Sequence, residues 1–300
     1  MSALPIRRSE LTCPGHSLKM MTKAAASDAD EVIFDLEDAC AVPEKIGARA
    51  AIAQALRTLD FTGGKVRAYR INGVETPWCY RDLVDVLEPA GDRVQVVVIP
   101  KVKSADEVRF VDRLVTQIER AKGFPERGIA LEVLIETAAG LSSALEIARA
   151  SPRVASLIFG VADFAGDLGA ADFRENDGRG FDWARHQLLL AARTAGVDAI
   201  DSVTVELKDP ARVAKDAAAS ARLGFDGKWA IHPSQVAPIQ AAFTPTPAQL
   251  ARAKTIVEAY RRSDAAGKGA LLIDGEMVDA ATLRVEERRL AVAQRGGLTA

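Results

Sequence analysis

VQVVVIP, residues 94–100, is almost unbroken apolar chain, and LEVLI, residues 131–135, repeats the pattern. Half-buried strands alternate apolar and polar residues. Mostly continuous runs suit strands covered on both faces, as in a parallel sheet flanked by helices. Working outward, candidate strands fall at 11–13, 32–36, 66–71, 94–99, 131–135, 157–159, 198–203 and 229–231. Between them lie amphipathic or Ala-rich segments near 17–27, 44–59, 77–88, 104–122, 138–150, 182–195, 210–223 and 234–242. Pro43-Glu44, Ser104-Ala105-Asp106-Glu107 and Asp209-Pro210 read as helix starts. Eight strand–helix pairs spaced by roughly thirty residues predict a (β/α)8 TIM barrel over residues 1–243. A doubly wound open sheet is the alternative, but no G-x-G-x-x-G follows the first strand to support a dinucleotide-binding version.

After residue 243, TPTPAQ (244–249) breaks the pattern with two prolines. A helix near 247–264, a hairpin turning at Asp274-Gly275 and a last helix near 280–293 make residues 244–300 an extension. It is expected to pack on its own barrel, on a partner, or over a site.

Composition narrows the functional classes. The chain has 300 residues, of which 48% are hydrophobic, so it has ample material for a core. With 39 Lys plus Arg against 41 Asp plus Glu, its net charge is −2 and it lacks the basic footprint of a nucleic-acid binder. Cys13, Cys40 and Cys79 are far apart and show no C-x-x-C spacing, which argues against disulfides or zinc. Three histidines, His16, His186 and His232, exclude a polyhistidine metal site. No apolar stretch follows Arg7-Arg8 as in a signal peptide, and none reaches membrane-span length. The expectation is a cytoplasmic protein, with neither membrane nor nucleic acid as partner.

A barrel carries its chemistry where its strands end. Asp35, Glu37 and Asp38 follow the second apolar run, Arg70 and Asn72 the third, and Lys101 the fourth. Glu136 follows the fifth, Asp163 the sixth and His232 the eighth. Each has a plain reading. Glu136 or Asp163 could cap the next helix; the acidic trio could pair with Lys45 or Arg49; Lys101 could be a solvated loop residue; His232 could be packed and hydrogen-bonded. Arg70 needs an anionic partner, whether protein or ligand. As a set they suggest more. Glu136 and Asp163 suit a hard divalent cation such as Mg²⁺, and Arg70 could hold a carboxylate or oxyanion bidentately. That combination suits an enolate or a 2-oxo or 2-hydroxy acid. There is no G-x-S-x-G nucleophile elbow.

Seven stretches in order resemble the citrate lyase beta-subunit-like (CitE-like) family of the HpcH/HpaI aldolase and citrate lyase superfamily. They are RSELTCPG (8–15), VIFDLEDACAVPEKIGAR (32–49), AYRING (68–73), VIPKV (98–102), LIETAAGL (134–141), IFGVADFAGDLG (158–169) and GFDGKWAIHPSQV (224–236). RINGVETPWCYRDLVDVLEPAGDR (70–93) and the ADF form at 162–164 narrow the likeness to malyl-CoA and β-methylmalyl-CoA lyases. The resemblance implies a barrel that binds Mg²⁺ (or Mn²⁺) through Glu136 and Asp163, with Arg70 as substrate-binding arginine. It implies CoA thioester contacts at Thr12, Lys23, Ala162, Ile231 and His232. Many members have Ser-Arg after the Pro-Gly; His16-Ser17 stands here, which puts a phosphate contact from that arginine in doubt. It further implies a trimer or hexamer in which Asp279 of the C-terminal extension reaches a neighbouring subunit's site; the plain alternative is that Asp279 caps the last helix. The implied reaction is reversible cleavage of a malyl-type CoA ester to acetyl-CoA or propionyl-CoA plus glyoxylate. Citramalyl-CoA or citryl-CoA cleavage, or malyl-CoA thioester hydrolysis, are the alternatives.

Overall fold

The computed structural model describes residues 4–174, 180–207, 209–265 and 269–297. Eight strands pair in parallel and in sequence order, and the eighth returns to the first, closing a barrel. They are β1 (Ser9–Pro14), β2 (Glu31–Asp35), β3 (Val66–Arg70), β4 (Val96–Ile99), β5 (Ala130–Ile135), β6 (Val154–Phe159), β7 (Asp198–Asp201) and β8 (Gly227–Ala230). Closure is read from the register Ser9↔Lys228, Glu10↔Trp229 and Leu11↔Ala230, which excludes the open-sheet alternative.

Residues 94–100 show why the barrel forms. All four residues of β4 are buried. Val96 and Val98 join Ile33, Val66, Ala68, Ala130, Leu134, Ile158, Ile200 and Trp229 in one core cluster. Strand alternation sends Val97 and Ile99 the other way, towards the helices.

The helices of this unit are α1 (Leu18–Ala25), α2 (Lys45–Thr58), α3 (Cys79–Ala90), α4 (Ala105–Lys122), α5 (Ala138–Ser142), α6 (Ala144–Ala148), α7 (Val161–Asp167), α8 (Asp182–Ala195), α9 (Pro210–Leu223) and α10 (Val236–Phe243). In α4, Val108, Val111, Val115 and Ile118 are buried at helical spacing, and Gly123 ends the helix with a left-handed φ of 70°. Asp209 caps α9 by accepting from the Arg212 N–H at 3.0 Å, and Pro210 takes the first helical position. Two expectations change. The single helix expected at 138–150 is two short ones, divided at Ser143. α7 was not expected; it starts directly after Gly160 and carries Asp163 in its first turn.

The chain divides into two compact units, Met1–Ala241 and Ala242–Ala300, with α10 running across the division. The second unit contains α11 (Pro247–Ala265), the hairpin β9 (Ala270–Ile273) and β10 (Glu276–Asp279), and α12 (Ala280–Arg295). Ile256, Tyr260 and Val278 form its core, with Leu271, Ile273 and Leu283 packed against them. Asp274 (φ 50°) and Gly275 (φ 83°) make the turn, both left-handed as a two-residue hairpin requires.

Candidate active site

Neighbouring strand ends are locked together by alternating charge. Asp35 closes β2, fully buried, and lies in register with Arg70 at the end of β3. Arg70 Nε donates to Asp35 Oδ1 at 2.6 Å and Nη2 donates to Oδ2 at 2.5 Å. The same carboxylate accepts from the Glu37 and Ala39 N–H groups, at 2.8 and 2.9 Å, which shapes the loop after β2. Lys45 Nζ holds that loop from below, donating to the Leu36 and Glu37 carbonyls and to Asn72 Oδ1, each at 2.7 Å.

The bidentate edge of Arg70 is therefore taken by a protein carboxylate. Its remaining nitrogen, Nη1, lies 3.0 Å from Glu37 Oε2, and its carbon sits 5.4 Å from the centre of the Trp229 ring. The bidentate grip on a ligand that the sequence suggested is not the geometry observed; Nη1 is the part of Arg70 not bound to Asp35.

Lys101 connects the two halves of the mouth. Its φ of 54° is left-handed, rare for a residue with a Cβ. In that conformation its N–H donates to Glu136 Oε1 at 2.7 Å. Its ammonium donates to Glu37 Oε1 at 2.6 Å and Asp38 Oδ1 at 3.1 Å, and lies 3.5 Å from Asp163 Oδ1. The plain reading of Lys101 as a solvated loop residue does not hold.

Glu136, just past β5, is 1% exposed. Gly160 makes room for it: a Cβ there would come within 2.6 Å of Glu136 Cβ and Oε2. Burial pushes the Glu136 carboxyl up to about 8; Arg70 opposes this, and Asp163 and Glu37 add to it. Burial likewise raises Glu37 to about 7, against Arg70 and with the help of Asp38. A buried carboxyl left protonated beside a second carboxyl is short of positive charge. Together the two offer hard oxygen donors in the number Mg²⁺ ordinarily takes from protein. The residues present fit that cation, which Glu136 and Asp163 would hold.

Glu136, Asp163, Ala162 and Lys101 line one cavity of ≈ 430 Å³. Glu75, Lys103, Glu107 and Asp167 also line it. The sequence reading missed these four, although Lys103 and Glu107 lie only a few residues beyond the β4 exit. Thr12, Lys23, Ile231, His232 and Arg70 are not among its lining residues. Thr12 Oγ1 is buried without a hydrogen-bond partner, whereas Lys23 is exposed in the last turn of α1. Ile231 is an exposed apolar side chain, and the adjacent His232 caps a short turn by accepting from the Ser234 N–H at 3.2 Å. In the second unit, Asp279 is the N-cap of α12: Oδ1 accepts from the Ala281 and Thr282 N–H groups at 2.9 and 3.0 Å. Hydrogen bonding from Thr282 is the main cause holding its carboxyl below the usual range.

Comparison with known proteins shows the family. Residues 8–233 match the HpcH/HpaI aldolase/citrate lyase family. An L-malyl-CoA/beta-methylmalyl-CoA lyase of Cereibacter sphaeroides is 41% identical over 93% of this chain and 92% of its own. A (3S)-malyl-CoA thioesterase of the same species is 34% identical over 96% and 94%. Among solved structures, CitE of Mycobacterium tuberculosis, in complex with magnesium, acetoacetate and coenzyme A, superposes with a TM-score of 0.78 at 32% identity, covering 99% of each chain. With the family match over residues 8–233 and a relative 41% identical across 93% of its length, the chain belongs to the HpcH/HpaI aldolase/citrate lyase family.

Proposed function

We propose that this chain is a Mg²⁺-dependent carbon–carbon lyase acting on CoA thioesters. It cleaves or forms a 3-hydroxyacyl-CoA such as L-malyl-CoA or β-methylmalyl-CoA, with acetyl-CoA or propionyl-CoA and glyoxylate on the other side. The observation that carries this reading is the convergence of buried Glu136 and half-exposed Asp163 on one cavity mouth. The chain's 41% identity to a lyase of that name supports it.

Mg²⁺ held by Glu136 and Asp163 would supply Lewis acidity to the oxygens of the acid portion. The chain's own residues do the rest. Lys101 fixes Glu136 through its N–H and balances Glu37, Asp38 and Asp163 through its ammonium. Arg70 Nη1 offers positive charge where negative oxygen develops. In cleavage the hydroxyl proton passes to water, and the bond between the carbinol carbon and the carbon next to the thioester breaks. The electron pair passes to the latter carbon, which must take up a proton. Asp279 of a neighbouring subunit is the proposed donor, acting as base in the reverse direction. That role implies a homo-oligomer, a trimer or hexamer. Thr12, Lys23, Ala162, Ile231 and His232 are the proposed CoA contacts.

The test is to incubate the protein with Mg²⁺, acetyl-CoA or propionyl-CoA and a panel of 2-oxo acids, and to identify the CoA esters formed. New hydroxyacyl-CoA with glyoxylate, abolished by chelator, is expected. Full turnover in chelator sinks the metal role. The thioesterase relative motivates a second reading. It is distinguished by products, since hydrolysis gives free CoA and malate without glyoxylate.

A further inference from the structure

Far from the mouth, at the end of the barrel where the strands begin, lies a second group of charges, with Arg7 and three glutamates closed inside and Asp198 partly exposed at the edge. Glu31 is the first residue of β2 and Asp198 the first of β7; Glu10 is the second residue of β1 and Glu132 the third of β5. Glu10, Glu31 and Glu132 are each 0% exposed, and one oxygen from each lies within 4.8 Å of the others. Arg7 enters from the segment before β1. Its Nε is 2.8 Å from Glu132 Oε1, 3.5 Å from Glu31 Oε2 and 3.6 Å from Glu10 Oε1, and its Nη2 donates to Asp198 Oδ2 at 3.2 Å. One guanidinium thus faces four carboxyl groups. Asp30, next to Glu31, is tied to Arg8 at 2.8 Å and adds negative field without adding a counter-charge.

Hydrogen bonding does not resolve the imbalance. Arg7 and Ser156 reach Glu132, and Glu31 and Glu132 meet each other, but among the described residues no hydrogen bond reaches either oxygen of Glu10. Ser156 stands on β6 in register with Glu132 and brings a neutral hydroxyl, not a charge. Three charged carboxylates cannot stay unsolvated around one cation; such groups neutralise instead. A metal ion among the same oxygens would have to sit beside a permanent cation, because Arg7 already reaches an oxygen of each glutamate. Protons face no such obstacle.

We infer that the floor of the barrel is a proton-binding site, in which Glu10 and Glu31 keep their protons in the folded protein at neutral pH while Glu132 carries the charge that balances Arg7. Burial and the neighbouring carboxylates push Glu10 and Glu31 far above the ordinary carboxyl range; burial also raises Glu132, against the pull of Arg7. In the unfolded chain both protons leave near pH 4.3. Between that value and the raised folded values, the native state binds more protons than the unfolded one. Stability is therefore greatest at mildly acid pH and declines as pH rises. This site is independent of the proposed lyase activity.

The test uses the full chain with Mg²⁺ saturating and follows thermal unfolding from pH 5.5 to 9. The wild type should lose Tm as pH rises, with a slope near two protons per molecule above about pH 8, where the Glu37 carboxyl no longer adds to it. Glu10→Gln and Glu31→Gln should each remove about one proton from that slope and melt above the wild type at pH 9. Infrared spectra of the folded wild type at pH 9 should show protonated carboxyl groups, diminished in each variant, so the proposal stands or falls even if a variant fails to fold. Unchanged slopes, or no protonated carboxyl signal in the wild type, overturn it. A chelator-induced loss of Tm that persists in Glu136→Gln and vanishes in Glu10→Gln would show a metal ion at the floor and equally overturn it.

Discussion

Glu136 gains its unusual proton affinity from burial and from Asp163 and Glu37 nearby. A cation binding there has to displace that proton. Mg²⁺ affinity should therefore fall as pH drops below about 8, by about tenfold per pH unit for one displaced proton. Titration of metal-free protein by calorimetry at pH 6.5 and 8.5 checks this, and equal affinities would contradict it. Glu136→Gln keeps the shape but removes the charge. It should abolish detectable Mg²⁺ binding and reduce CoA-ester cleavage by about 10²–10³, the scale of several kcal/mol of lost Lewis-acid assistance. The strand-exit residues were legible because chemistry follows apolar runs: Asp35, Glu37, Arg70, Lys101, Glu136 and Asp163 were all visible that way. Their pairings were not. Whether Arg70 meets Asp35 or a ligand depends on the register of β2 against β3, a long-range fact no local pattern encodes. The floor glutamates had a signal that was passed over: Glu10, Glu31 and Glu132 each interrupt or adjoin an apolar strand, where a charge needs explaining.

The loops that position the site belong to the scale of elements. Gly160 joins β6 to α7 and lets Glu136 pack against backbone. Gly160→Ala places a methyl 2.6 Å from the Glu136 side chain. It should weaken Mg²⁺ binding by displacing that carboxylate and cost about 1–3 kcal/mol of stability as an overpacked contact. Metal titration and thermal melting measure the two effects separately. Strands and long helices were legible here because burial on both faces and the helical period leave strong patterns, as in β4 and α4. The break at Ser143 and the helix at 161–167 were not. Both are single turns or little more, set by tertiary packing rather than by a repeating pattern.

At the scale of the whole molecule, the question is what the second unit contributes. Asp279 has two demands on it, a cap that it visibly makes and a proton transfer that is proposed. Asp279→Asn retains a good cap, whereas Asp279→Ala costs about 1 kcal/mol in α12. If Asp279 carries the proton, both variants should lose kcat by at least about 10²-fold with acetyl-CoA binding intact. If it is only a cap, Asn should behave as wild type. Steady-state kinetics with a parallel melting curve decides. The hairpin was legible from Asp274-Gly275; the environment of Asp279 in an assembly lies beyond a single sequence.

The ring also sets an order of events as the chain folds. Gly227 stands where a Cβ would strike the Arg7 carbonyl, and the Lys228 N–H donates to the Arg8 carbonyl at 2.9 Å. The first strand and the last thus complete each other across nearly the whole length of the barrel sequence. Contacts so distant along the chain form slowly, because a large loop must close before they return any energy. Sealing the barrel and drying its floor become one late step, and the rate of that step should carry the floor's dependence on pH.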